Sequence, residues 1–228
     1  MNITFVTRGS LEKFIERDAS KLRSPDVLVF SEGIVGKLNL LSEAGGAGNV
    51  FIALSALSEK LSCAVAAACD TEVCGLLHKS AAVFDCGRLL GVSDMAHVVD
   101  ESGYSPGGTF RVYDTSKGKL GVVVGEDIYF PEVPRILALC DADIILSLFG
   151  RLRSSMPQVM MRAAAFASGV TVCMGARGYV QIADIKGEIV CALDATMVEY
   201  NTEIVKDFHL IQARRRGCYR EIYSSFET

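Results

Sequence analysis

The chain is 228 residues long and half hydrophobic, enough for a full globular core, and it reads as a single domain over 1–228. A formal net charge of -4 with a pI near 5.5 excludes a general attraction to nucleic acid or to an anionic membrane surface. The opening Met1-Asn2-Ile3-Thr4-Phe5-Val6 lacks a signal-peptide layout, and no run approaches the ~18 apolar residues of a membrane span, so a soluble, cytoplasmic protein is expected.

In chain order, Ile3 to Thr7 suits a strand, and Ser10 can cap a helix with Leu11, Phe14, Ile15, Ala19 and Leu22 on one face. Ser24-Pro25-Asp26 breaks it, and Val27 to Phe30 is a short buried strand ending at Ser31-Glu32-Gly33. Gly45 to Gly48 reads as a flexible loop before a second amphipathic helix carrying Phe51, Leu54, Leu57 and Leu61. Strands follow at Cys63 to Cys69, Ala81 to Asp85 and Thr109 to Tyr113, and a Lys117-Gly118 turn leads into Leu120 to Val124. Pro131 suits the first position of a helix running to Cys140. Ile144 to Leu148 is a strand and Met156 to Ser168 a helix. Val170 to Met174, Tyr179 to Asp184 and Glu188 to Ala192 complete the sheet material, with Lys186-Gly187 as a hairpin turn. Strands that are apolar throughout imply burial on both faces, and their alternation with helices predicts a layered α/β sandwich.

Eight cysteines raise the question of disulfides. Cys63, Cys69, Cys173 and Cys191 sit in alanine- and valine-rich runs, where a free thiol behaves as a small hydrophobe. No Cys-x-x-Cys pair occurs, and His78, His97 and His209 are scattered, so no metal or other cofactor is expected. Reduced core thiols fit a cytoplasmic setting. The basic cluster Arg214, Arg215, Arg216 and Arg220 reads as a solvated face.

The most informative stretch runs from Leu120 to Glu132: an apolar strand, then Gly125-Glu126-Asp127-Ile128-Tyr129-Phe130-Pro131-Glu132. It resembles the nucleophile segment of the nitrilase (carbon–nitrogen hydrolase) superfamily, in which an apolar strand is followed by a cysteine, an aromatic, an aspartate, two residues and Phe-Pro-Glu. Arg135 to Ile145 matches the helix and strand expected next. Val27 to Glu32, Arg162-Ala163, Gln181 to Glu188 and Arg215-Arg216-Gly217-Cys218-Tyr219 resemble further family pieces in the right order. The resemblance covers nearly the whole chain and implies a four-layer α-β-β-α sandwich.

The family's chemistry uses a glutamate as base, a cysteine as nucleophile and a lysine to steady the anionic intermediate. By resemblance, Glu32 matches the glutamate, while Gly125 stands at the cysteine and Met95 at the lysine, with His97 still matching. Glu101 lies near the family's auxiliary glutamate, at an imperfect spacing. Glycine has nothing to attack with, and a thioether neither donates a hydrogen bond nor carries charge. Cys140 lies across a predicted helix and Cys173 on a core strand, so neither replaces the nucleophile. Rebuilding the triad is expected to need Gly125→Cys together with Met95→Lys.

The resemblance thus implies a nitrilase-like protein that binds a small amide- or carboxylate-type ligand without turning it over. Two readings stand beside it: a hydrolase of small amides or nitriles by a variant mechanism, and a structural subunit paired with an active relative. Relatives associate through the helices around these segments, which implies a homodimer or higher homo-oligomer built on Pro131–Cys140 and Met156–Ser168.

Overall fold

Short runs of Val, Ile and Leu without polar interruption can be strands only if both of their faces are covered, and the fold covers them. The computed structural model describes residues 1–100 and 103–218. Its first half contains β1 (Asn2–Val6), α1 (Leu11–Arg17), β2 (Val27–Phe30), β3 (Lys37–Asn39), α2 (Leu40–Ala44), α3 (Val50–Leu61), β4 (Ala64–Val73), β5 (Leu76–Asp85) and β6 (Arg88–Asp94). The second half contains β7 (Val112–Thr115), β8 (Gly118–Val124), α4 (Glu132–Leu139), β9 (Ile144–Leu148), α5 (Met156–Ser168), β10 (Val172–Ala176), β11 (Tyr179–Ala183), β12 (Ile189–Asp194), β13 (Met197–Asn201) and α6 (His209–Ala213).

One sheet runs β13-β1-β2-β4-β5-β6, with β3 beside β4, and the other runs β12-β11-β10-β9-β8-β7. β1, β2 and β4 are mutually parallel, as are β8, β9 and β10. Parallel neighbours need crossovers, which α1, α3, α4 and α5 supply. The strict alternation of side chains then sorts each strand between two cores. Val27 and Val29 meet Val122 and Val124 between the sheets, while Leu28 and Phe30 pack with Phe14 of α1 and Leu54 of α3. Val123 and Ile145 pack instead with Leu137 of α4 and Met161 of α5. The order helix, sheet, sheet, helix is the predicted four-layer sandwich, and β2, β8 and β9 all lie inside their sheets.

Several predicted boundaries are corrected. α1 stops at Arg17, its last turn closed by the Asp18 N–H on the Phe14 carbonyl, which leaves Ile15 exposed and Ala19 in a 3-10 turn. The strand placed at Thr109 to Tyr113 begins only at Val112, where pairing with β8 starts. Pro131 occupies the N-cap of α4 rather than its first turn. Gly45 to Gly48 is pinned rather than free: the Glu43 carboxylate reaches under Gly48 and accepts the Phe51 N–H at 2.8 Å, tying the loop to the start of α3. β3, β6 and β13 were not predicted. β6 and β13 are sheet edges whose mixed polar residues, such as Arg88, Asp94 and Glu199, carry no apolar signature.

Gly169 ends α5 with a φ of +65°, and its Asp207 neighbour donates an N–H to the Gly169 carbonyl at 2.8 Å. A Cβ at this glycine would collide with the Asp207 carbonyl oxygen. The left-handed backbone alone costs an L-residue about 1–2 kcal/mol. Gly169→Ala is therefore expected to lower stability by at least that amount in denaturant titration, with the secondary-structure content unchanged.

Candidate functional site

The parallel strands β2, β8 and β9 end on the same side of the molecule, where open α/β sheets place their sites. Glu32 follows β2 by two residues and Gly150 follows β9 by two. Gly125 comes directly after β8 and opens the 3-10 turn Gly125–Tyr129. Gly125 has a φ of +53°, and Gly150 leaves room for the Glu32 carboxylate where any Cβ would strike it.

Of the four positions named from sequence, Glu32, Met95 and Gly125 come together, and Glu101 lies outside the described residues. Met95 follows β6 directly and is 1% exposed. Its sulfur fills the space in front of Gly125: a Cβ built at residue 125 would lie 2.6 Å from Met95 Sδ. That sulfur also accepts the Glu126 N–H at 3.3 Å, so the first backbone donor of the turn is already occupied.

Lys79 was not foreseen. It lies on β5 in phase with Ala81 and Val83, which belong to the inter-sheet core, and it is 8% exposed. Its Nζ donates to Glu32 Oε2 at 2.9 Å and lies 5.3 Å from the centre of the Tyr104 ring. Its Cδ would stand 3.8 Å from a Cβ at residue 125. Burial, and next the Asp70 carboxylate, push the Tyr104 phenol above its ordinary value, so this ring stays neutral beside the ammonium. A lysine in register with the buried face of an apolar strand was the available signal, since lysine is almost never buried without a partner.

The turn after Gly125 is anchored by two buried carboxylates. Asp127 accepts the N–H groups of Ala96 and His97 at 2.9 and 2.8 Å and faces the His97 Nδ1 at 2.7 Å. Glu126 accepts the Val99 and Asp100 N–H groups at 2.7 and 3.1 Å. The His97 ring stacks on Phe130 with centroids 3.7 Å apart. His97 thus locks the segment beside Gly125 to the turn. Among the described residues, no group of three or more His, Cys, Asp or Glu side chains is placed to hold a metal ion. No helix among them is long and apolar enough to cross a membrane.

The sequence profile of the carbon–nitrogen hydrolase family matches residues 7–214. A citrullinase from Francisella tularensis is 40% identical over 77 residues, which is 30% of this chain and 27% of that one, so the match spans about a quarter of that curated relative. A solved carbon–nitrogen hydrolase from Helicobacter pylori G27 superposes with a TM-score of 0.79 at 21% identity, covering 98% of each chain. A mutant of the amidase from Nesterenkonia sp. AN1, in complex with butyramide, superposes with a TM-score of 0.77 at 16% identity, over 97% of this chain and 96% of that one. At these identities the two structures speak for the fold.

The thiols divide by burial. Burial pushes Cys63, Cys69 and Cys173 up to about 12, Cys74, Cys86, Cys140 and Cys218 are exposed, and Cys191 is half-buried, its thiol also raised by burial. With the folded values above the ordinary thiol value, these three groups favour folding fully below about pH 9, and that contribution is lost as pH rises from there toward 12. Iodoacetamide at pH 8, followed by peptide mass mapping, should label the four exposed cysteines and leave Cys63, Cys69 and Cys173 unmodified until the chain is unfolded. Rapid labelling of Cys173 in the folded protein would contradict its placement between the sheets.

Proposed function

The chain belongs to the carbon–nitrogen hydrolase family of the nitrilase superfamily, and from that premise we propose that it binds a small amide- or carboxylate-type ligand without thiol-dependent turnover. One observation carries this reading: the space that a nucleophile at residue 125 would need is filled by the Met95 sulfur, beside a glycine. Thiolate chemistry needs a side chain there that takes its proton to a base and attacks a carbonyl or nitrile carbon. Glu32, in the role of the family's base, has no thiol to deprotonate. What remains is a carboxylate and an ammonium 2.9 Å apart at the mouth of the sheets. Such a pair suits a ligand that offers both a hydrogen-bond donor and an acceptor, as a carboxamide does. Glu101, at the family's auxiliary glutamate, belongs to the same proposal. The eight cysteines, all unpaired, support a reducing, cytoplasmic setting.

Loss of the nucleophile from a covalent hydrolase costs on the order of a million-fold in rate. Purified protein is therefore expected to show no detectable turnover of a panel of amides, nitriles and N-carbamoyl compounds, while butyramide or butyrate raises its melting temperature. Turnover near the ~10 per second typical of enzymes, abolished by Glu32→Gln, would defeat this reading and call for another nucleophile.

Association of two copies belongs to the same proposal. α4 and α5 together expose Ile136, Leu139, Met156, Val159 and Phe166, each at least 39% accessible, on the outer face of one helical layer. Of the three methionines of α5, Met161 is fully buried and Met160 is half-buried against the same core, which leaves Met156 as the exposed one. Light scattering at micromolar concentration should give twice the chain mass or a higher multiple, and Val159→Glu should shift it toward the monomer. A monomer at all concentrations would count against the proposal.

A further inference from the structure

We infer that Lys79 is the cation of this site, delivered from β5 to the edge of residue 125, and that it serves in place of the lysine that position 95 lacks. The inference deepens the binding reading and rests on the same cluster of residues. It names the group that would hold a ligand's carbonyl or carboxylate oxygen.

Three observations lead there. The first is cost. A lysine at 8% exposure pays heavily for lost hydration unless its charge is matched, and here Glu32 accepts from Nζ at 2.9 Å with the Tyr104 ring alongside. The second is reach. With Cδ 3.8 Å from a Cβ at residue 125, the Lys79 side chain runs past that position on its way to Glu32, and rotation about its last two bonds can turn the ammonium toward a group carried there. The third is adjacency. The Met95 N–H donates to the Lys79 carbonyl at 2.8 Å, so the two residues are hydrogen-bonded neighbours on adjoining segments. A side chain from either one can enter the same volume, and only the lysine brings a charge and donors to it.

The alternative is a lysine that merely neutralises Glu32 and never acts on residue 125. The two differ in the electrostatic environment of a thiol placed there. Gly125→Cys combined with Met95→Ala removes the blocking sulfur and installs a reporter. Its alkylation by iodoacetamide is followed against pH, peptide by peptide, in place of any activity. This readout needs no ligand, so it stands whether or not the binding reading fails. The introduced thiol should titrate below the ordinary ~8.5. Lys79→Met should raise that midpoint by about one pH unit or more, as removal of a cation within about 4–6 Å does, and Lys79→Arg should retain the low value.

Removing Lys79 also unmasks Glu32, which by itself would raise a thiol. The comparison is therefore repeated with Glu32→Gln in every variant, where no stranded carboxylate distorts the result or threatens folding. In that background a midpoint unchanged to within a few tenths between Lys79 and Lys79→Met overturns the inference. The inference also revises the reconstruction expected from sequence: Gly125→Cys needs space from Met95, and it does not need a second lysine.

Discussion

The site depends on two carboxylates that never face solvent. Glu126 and Asp127 turn inward directly after Gly125 and collect the backbone N–H groups of Ala96, His97, Val99 and Asp100. Hydrogen bonds to charged acceptors are roughly twice as strong as neutral ones, and buried carboxylates that lost these donors would be left unsatisfied at high cost. The segment after β6 is therefore not a loose connection laid over the sheet ends. It is held against the turn after β8, and that hold sets Met95 over Gly125. The two sheets thus communicate at this end through a polar clamp, whereas elsewhere they meet through packed Val, Ile and Leu.

Much of this was legible in the sequence, for identifiable reasons. β2, β8 and β9 are interior strands, so burial on both faces writes them as unbroken apolar runs. Glu32, Gly125 and Met95 were named because the segments around them resemble family motifs, with Glu32 and Gly125 at or just beyond the ends of such runs and Met95 two residues before His97. The gaps have equally physical causes. β6 and β13 are edges, where one side of the strand meets water or loops, and their sequences lose the apolar signature. Lys79 escaped because position was read segment by segment, while its role comes from the register of β5 against β4, where it stands opposite Asp70. Parity with Ala81 and Val83 was available in the sequence, but that this face brings Lys79 to Glu32 became visible only once the sheets were paired. Glu101 lies outside the described residues, and Tyr219 of the C-terminal motif does too.

The wider fold shows how loosely a scaffold of this kind is tied to the identity of a few residues at its strand ends. The chain keeps a TM-score of 0.79 with a solved relative at 21% identity, and its sheet ends still converge at the expected place. Core packing depends on volume and alternation, whereas chemistry depends on a few atoms at strand ends. A glycine at residue 125 with the Met95 thioether packed against it fits that packing without a gap. What changes is the set of groups a visiting molecule meets.

The hydrogen bond from the Met95 amide to the Lys79 carbonyl also bears on the order in which substitutions can accumulate. Two residues bonded in this way, each able to reach one small volume, are not independent positions. A lysine at both would bring like charges into the same space, and each would depress the other's affinity for its proton. Neither position can therefore be judged alone. A methionine is tolerable at 95 because the charge arrives from 79, and a lysine restored at 95 would meet the one already there. Along any mutational path through this pair, the first step alters the value of the second, so history at one residue is written into the constraints on its neighbour.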